Sequence, residues 1–273
     1  MLKILVCVKQ VPDMDLVKMD PETGNLVRKG VPTLLNPLDT NALEAAVRVK
    51  EQYGGEVTCI TMGPSEAESA LRECIASGAE NGVLVSGRPF GGADTLSTSY
   101  TIVQAAKMLG KFDLIFCGKE SLDGATGQMG SQLAERFDAS QISSCLLIDA
   151  VDTQKRTIRA KRALENGVET VEAALPCLLT VEKANYPARI PNFKSKMKSK
   201  KAEIQVLTEN NIDGLDMALV GVPGSGTIVP EIYPPELPEP GQIIDEGSAE
   251  SSAARLIDIL LEKEAIFPTG GKV

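Results

Sequence analysis

The chain has 273 residues, a net charge of −9 at neutral pH, 43% apolar residues and 24% charged residues. These values are ordinary for a globular protein with one large α/β domain or two small ones, and the acidic balance argues against nucleic acid as a partner. No run approaches the roughly 18 uncharged apolar residues of a membrane span, so we expect a cytoplasmic protein without membrane insertion.

The sequence contains no histidine, which removes the commonest general base and a favoured metal ligand. Its six cysteines are dispersed without a Cys-x-x-Cys pair, and most lie in or beside apolar runs, where a thiol behaves as a small hydrophobic group. We therefore predict no metal site and no catalytic side chain. If the protein is an enzyme, an organic cofactor supplies the chemistry.

Strand and helix patterns alternate as far as residue 137. The predicted strands span residues 2–8, 57–62, 82–85 and 112–116, with a hairpin at 17–31 that turns at Pro21-Glu-Thr-Gly24. The predicted helices span 37–53, 65–77, 94–109 and 128–137, with Asn36 as an N-cap and a Ser65…Glu68 capping box. This order predicts an α/β fold with a doubly wound, mainly parallel sheet of the Rossmann-like, adenine-nucleotide-binding type.

The pattern changes after residue 140. Short β-type runs at 144–151, 156–163, 170–174 and 177–181 predict an antiparallel extension of the same sheet. The lysine-rich run 192–201 is typical of a solvated helix or strand face. Residues 222–240 are rich in proline and glycine and predict an extended arm, followed by an amphipathic helix at 248–262 that docks on a partner subunit or on the protein's own body. The predicted domains are therefore an α/β domain at 1–222 and an arm at 223–273.

The segment 117–130 is rich in glycine and joins a predicted strand to a predicted helix. Such a turn places free backbone N–H groups and the positive end of a helix dipole at one spot, which suits phosphate oxygens. An ordinary strand-to-helix connection would look similar. In an open α/β sheet, ligands bind beyond the carboxyl ends of the strands, where the loops that begin at Cys7, Asn36, Met62 and Gly87 also lie. For Asp39 and Asp94 taken alone, helix capping is the better interpretation.

At this point the chain resembles the β subunit of electron transfer flavoproteins. The resemblance rests on residues 9–12, on Asn36-Pro-x-Asp39 with Glu44 and Lys50, on residues 62–64, and on Gly118-Lys…Asp123-Gly-x-Thr-Gly-Gln128. Residues 160–180 are similar to the signature stretch of that subunit, although Asn166 stands where an acidic residue or glycine is usual. The resemblance covers nearly the whole chain.

The resemblance implies an obligate heterodimer with an α subunit that carries one FAD, while the β subunit binds a second nucleotide. In electron-bifurcating members that nucleotide is an FAD that accepts hydride from NADH; in other members it is AMP, which is structural. The Gly91-Gly-Ala-Asp-Thr95 loop is similar to that of the bifurcating group and favours FAD. The implied cofactor-binding residues are Cys7, Asn36, Asp39, Met62, Gly91, Gly92, Ala93, Asp94, Thr95, Gly118, Ser121, Asp123, Gly124, Ala125, Thr126, Gly127 and Gln128.

The resemblance also implies partners. Residues 186–192 resemble the loop that docks on acyl-CoA dehydrogenases, which makes Tyr186, Arg189, Ile190 and Pro191 candidate docking residues. A low-potential acceptor, ferredoxin or flavodoxin, would take the other electron, and residues 223–273 would dock on the α subunit.

Two other classes of protein remain as alternatives. An ATP-using enzyme on a similar scaffold would need a Ser-Gly-Gly-x-Asp-Ser type of loop after the first strand, where this chain has Cys7-Val-Lys-Gln. A nucleotide-sensing stress-type module is usually shorter and would leave the basic run and the arm unexplained.

Overall fold

The computed structural model describes residues 1–16, 18–19, 26–27, 30–183, 185–228 and 241–263. The chain forms two compact units, Met1–Ile232 and Tyr233–Val273. The predicted turn at Pro21–Gly24 and most of the predicted arm lie outside the described residues.

The strands and helices are numbered in chain order. The strands are β1 Leu2–Cys7, β2 Gln10–Pro12, β3 Lys18–Met19, β4 Leu26–Val27, β5 Thr33–Leu35, β6 Gly55–Met62, β7 Asn81–Val85, β8 Leu114–Gly118, β9 Ser140–Asp152, β10 Thr157–Leu164, β11 Gly167–Ala174, β12 Cys177–Val181 and β13 Ile204–Leu207. The helices are α1 Pro37–Tyr53, α2 Glu68–Ala76, α3 Thr95–Lys107, α4 Met129–Arg136, α5 Phe193–Lys201 and α6 Ala249–Glu262.

The central sheet has nine strands in the order β11-β10-β9-β12-β8-β1-β6-β7-β13. The six strands from β12 to β13 pair in parallel, whereas β9, β10 and β11 form an antiparallel extension. The predicted fold class, an α/β protein with a doubly wound and mainly parallel sheet, is thus confirmed. Two short antiparallel pairs, β2 with β5 and β3 with β4, stand apart from this sheet.

Strand β1 shows why helices cover both faces of the sheet. Its side chains alternate between faces. Ile4 and Val6 join the core cluster that contains residues of α1 and α2, and Leu5 joins the cluster that contains residues of α3 and α4. The apolar faces of the helices are therefore buried on opposite sides of one sheet, and the loops between strand ends and helix starts collect at its carboxyl edge.

Two strand predictions were wrong or incomplete. Residues 177–181 were assigned to the antiparallel extension, but β12 runs parallel to both β8 and β9. All five of its residues are buried, and such a continuous apolar run is typical of a parallel strand covered on both faces. The edge strand β13 was not predicted, because four residues with a polar Gln205 give little periodicity.

Local details differ from the predictions at two helices, and the lysine-rich run adopts one of the two forms expected for it. The Ser65…Glu68 capping box does not form, because Ser65–Ala67 is a separate 3-10 turn and Ser65 donates to the Glu66 carboxylate instead. The lysine-rich run forms helix α5. Helix α6 matches the predicted bounds to within one residue and has Ser248 as its N-cap, but none of its residues is buried, and Leu256 and Ile257 are about half exposed.

Within the described residues, no helix combines the length and hydrophobicity that crossing a bilayer requires. In the same part of the chain, no three potential metal ligands among His, Cys, Asp and Glu come together. All six cysteines are buried as free thiols.

Candidate functional site

A cavity of about 460 Å³ opens at the carboxyl edge of the parallel sheet. Its walls come from the carboxyl ends of β1 and β6, from the first turn of α1, and from the two glycine-bearing loops at 87–95 and 118–128. The volume lies within the roughly 300–1,000 Å³ of small-molecule sites, and the position is where open α/β sheets bind ligands.

Most of the predicted cofactor-binding residues meet at this cavity. Its lining includes Cys7, Asn36, Asp39, Met62, Gly92, Ala93, Asp94, Thr95, Gly118, Ser121, Gly124, Thr126, Gly127 and Gln128. Gly91, Asp123 and Ala125 belong to the same loops but do not line it. The structure therefore brings these residues together, and their part in binding a cofactor stays a prediction.

Several lining residues were not predicted. Phe90, Ile102, Met129 and Leu133 give the cavity an apolar wall. Phe90 belongs to the 87–95 loop, Ile102 to α3, and Met129 and Leu133 to α4. Thr227 reaches the cavity from the far end of the α/β unit. No local sequence pattern marks it, because its position depends on contacts with residues more than a hundred positions earlier.

Asn36 holds the glycine-rich loop in place. It stands directly before α1, as predicted, but its side chain makes no capping hydrogen bond. Its Nδ2 donates to the carbonyl oxygen of Glu120 at 2.9 Å, and its Oδ1 accepts from the backbone N–H of Leu122 at 3.2 Å. The start of α1 and the glycine-rich loop are therefore joined by a buried side chain.

Asp39 joins the ends of β1 and β8. Its Oδ2 accepts from the backbone N–H of Lys9 at 2.8 Å, and its Oδ1 accepts from that of Gly118 at 2.9 Å. Burial raises the pKa of this carboxyl group to about 7, against the opposing effect of the two N–H donors. A Cβ on Gly118 would lie 2.6 Å from Asp39 Oδ1, so only glycine fits here.

Asp94 organises the opposite wall. As the alternative interpretation proposed, it caps a helix: its Oδ1 accepts from the backbone N–H of Ser97 at the start of α3. Its Oδ2 also accepts from the N–H groups of Gly226 and Thr227, at 2.8 and 2.9 Å. Burial opposes ionisation, but the backbone donors outweigh it and hold the pKa of Asp94 below its ordinary value.

The two glycine-bearing loops are tied to each other. Thr95 donates from Oγ1 to Gln128 Oε1 at 2.9 Å. The same Thr95 Oγ1 accepts from Nε2 of Gln132, in α4, at 3.2 Å. Across the mouth, Lys9 Nζ pairs with Asp123 at 2.7 Å. In the described part of the chain, the buried Oε1 of Gln132 has no hydrogen-bond donor. Gln132 itself does not line the cavity.

The glycine-rich loop presents donors to the cavity. Gly127 has a φ of +62°, and nothing lies within 4 Å of where its Cβ would be. Among the described residues, the backbone N–H groups of Thr126, Gly127 and Gln128 donate to no other group. These N–H groups precede α4, whose dipole adds positive potential, so this side of the cavity fits phosphate oxygens. The apolar wall fits a flat ring system.

The four predicted docking residues lie in different environments. Tyr186 is only 3% exposed; its hydroxyl accepts from the N–H of Ile148, and its carbonyl oxygen accepts from Asn41. Arg189 is held by ion pairs to Glu44 and Glu51 of α1, both at 2.7 Å. Ile190 is 92% exposed, and Pro191 is half-buried. Tyr186 and Arg189 therefore anchor the loop, and Ile190 is the side chain that the loop presents.

The fold and the site thus define an α/β protein with a ligand cavity at the carboxyl edge of its sheet. The electron transfer flavoprotein domain family matches residues 23–211. The β subunit of the electron transfer flavoprotein from Clostridium acetobutylicum is 40% identical over 92% of this chain and 95% of its own length. FixA of Bradyrhizobium diazoefficiens is 37% identical over 94% and 90%, and the caffeyl-CoA reductase–Etf complex subunit CarD of Acetobacterium woodii is 38% identical over 97% and 100%. The chain belongs to the electron transfer flavoprotein family and is one of its β subunits.

Proposed function

We propose that this chain is the β subunit of an electron-bifurcating electron transfer flavoprotein and that its cavity holds FAD. The observation that carries the proposal is the arrangement of the 87–95 and 118–128 loops, which face each other across one cavity and are linked through Thr95 and Gln128. AMP, which lacks the isoalloxazine ring system of FAD, would need only one of these walls. When bound, FAD supplies hydride acceptance from NADH and onward transfer of single electrons.

The chain's own residues bind and orient this cofactor. The N–H groups of residues 126–128 are placed to receive phosphate oxygens, and the apolar wall of Phe90, Ile102 and Leu133 excludes water from the ring. Asp39 and Asn36 hold the 118–128 loop against the start of α1 before the ligand arrives. No side chain of the chain is assigned a proton-transfer step.

The proposed partners are an α subunit that carries its own FAD, an acyl-CoA dehydrogenase, and ferredoxin or flavodoxin. The name of the relative CarD places that protein in a complex with a CoA-thioester reductase, which supports the dehydrogenase assignment for this chain. Residues 223–273 are proposed to dock on the α subunit. Half-exposed Leu256 and Ile257 on α6 support this, because an apolar helix face is normally covered.

The test is to purify the αβ pair, count flavins per heterodimer from the absorbance spectrum, and add NADH without oxygen. The proposal is supported if each pair carries two flavins and if NADH bleaches the flavin absorbance. One flavin together with released AMP would instead identify the cavity as a structural AMP site.

Gly127→Ala is expected to weaken FAD binding about tenfold or more, because a methyl group beside the phosphate donors would remove one hydrogen bond to a charged group, worth roughly 1.5–3 kcal/mol. Gly110→Ala is the matched control. Both glycines have a positive φ and open space around the missing Cβ, but Gly110 lies away from the cavity. Each variant should lose about 1–2 kcal/mol of stability from backbone strain. Equal FAD affinities, measured by fluorescence titration, would contradict the assigned phosphate position.

Ile190→Ala is expected to slow electron transfer to the dehydrogenase about tenfold while NADH oxidation with an artificial acceptor stays normal. The reason is that a fully exposed isoleucine buried on docking contributes roughly 1.5–3 kcal/mol. The control is Val168→Ala, which truncates another exposed apolar side chain, on β11. Stopped-flow transfer rates that are the same for both variants would remove Ile190 from the interface.

A further inference from the structure

The segment 219–227 packs against the 87–95 loop and the start of α3, and its Thr227 lines the cavity. Ser97 Oγ donates to the carbonyl oxygen of Leu219 at 3.1 Å, and Val220 is buried in the core. A Cβ on Gly92 would lie 2.7 Å from Val222 Cγ2. These contacts show a segment fitted closely against the loop that carries Asp94.

The C-terminal end of this segment is hydrogen-bonded to Asp94. Its Oδ2 accepts from the N–H groups of Gly226 and Thr227, and its own N–H donates to Ser225 Oγ at 2.9 Å. Ile228, the next residue, is 82% exposed. Both Asp94 and Thr227 line the cavity, so a ligand that fills it contacts the two ends of this attachment.

We propose that Asp94 is a positioning residue that clips the segment 219–227 over the cavity, so that a bound nucleotide and the attached segment stabilise each other. The inference rests on the proposed nucleotide site. A ligand that contacts Thr227 only in the attached arrangement favours that arrangement, and by linkage the attachment raises ligand affinity. Loss of the clip lowers the binding-competent fraction and raises the apparent dissociation constant in proportion.

The carboxylate has two separable roles, which makes the proposal testable. Serine is as good an N-cap as aspartate, but its single oxygen cannot also accept from Gly226 and Thr227. Asp94→Ser therefore keeps the cap and removes the clip, whereas Asp94→Ala removes both. Asn192→Ser is the matched control, because Asn192 caps α5 in the same way at a distance from the cavity.

The experiment uses the full-length chain in its purified assembly, stripped of nucleotide and reloaded with FAD or AMP. Hydrogen exchange of the 219–228 peptide should slow on loading in the wild type and in Asn192→Ser. In Asp94→Ser that protection should be lost. The affinity for FAD or AMP should fall about tenfold, because one hydrogen bond to a charged group is worth about that much. The thermal midpoint should stay near that of the wild type.

Two outcomes would overturn the proposal. Asp94 is no more than a helix cap if Asp94→Ser binds FAD or AMP as tightly as the wild type does. The same conclusion follows if the hydrogen-exchange rate of residues 219–228 is the same with and without bound nucleotide. A wild-type chain that binds neither FAD nor AMP would overturn the nucleotide site itself, and this inference with it. The two failures are therefore distinguishable.

Discussion

Gly118→Ala is expected to lower the free energy of unfolding by about 3 kcal/mol and to abolish FAD binding. A Cβ at this position would lie 2.6 Å from Asp39 Oδ1 and 2.7 Å from the carbonyl carbon of Leu38. Backbone cannot yield as a flexible side chain does, so β8 or the first turn of α1 has to shift. That shift breaks the hydrogen bond from the Gly118 N–H to Asp39 and moves the loop that carries the phosphate donors.

Urea unfolding and flavin titration measure the two effects. For the unfolding measurement, Gly124→Ala is the control from the same loop, because its added Cβ would meet only the Ser121 hydroxyl at 3.4 Å, an ordinary contact. A Gly118→Ala protein as stable as Gly124→Ala would show that the end of β8 and the first turn of α1 are not packed as described.

Asp39→Asn is expected to change how stability depends on pH. The pKa of Asp39 is about 7 in the folded chain against 3.8 for a solvated carboxyl group, so between these values the folded state holds a proton that the unfolded state has lost. The wild type should therefore lose stability, by about 1 kcal/mol per pH unit, as pH rises from 5 toward 7. The asparagine variant lacks this group and its contribution to the slope.

Urea unfolding of both proteins from pH 5 to pH 9 provides the measurement. The difference in unfolding free energy between wild type and variant should fall as pH rises to about 7 and level off above it, because Asp39 is then ionised in both states. All other titrating groups are common to the two proteins. A difference that stays constant across the range would show that Asp39 keeps an ordinary pKa.

Much of the α/β core was predictable because buried parallel strands are continuous apolar runs and because apolar residues recur every three to four positions in the helices between them. The direction of β12 was not, because an apolar run carries no information about which neighbours it joins. The edge strand β13 is too short to show a period. Strand identity is thus a local property, whereas pairing depends on the whole chain.

The cavity loops were found for the same reason: glycines and helix-start residues directly after strands mark the binding edge of such a sheet. What the sequence could not show are contacts across long separations. Asn36 reaches Glu120 over 84 residues, and Asp94 reaches Thr227 over 133. Tyr186 and Arg189 were predicted as docking residues from the resemblance of their loop to a docking loop, and no sequence pattern marks the contacts by which they anchor that loop.

Helix α1 carries two of the features described above. Its first turn bears Asp39, which fixes the cavity, and its later turns bear Glu44 and Glu51, which grip Arg189 beside Ile190. At 1.5 Å per residue, the turns of Asp39 and Glu51 are roughly 18 Å apart along one rigid rod. The loop that presents Ile190 and the edge of the cavity are therefore attached to the same helix, and the length of that helix, rather than a flexible loop, fixes the distance between them.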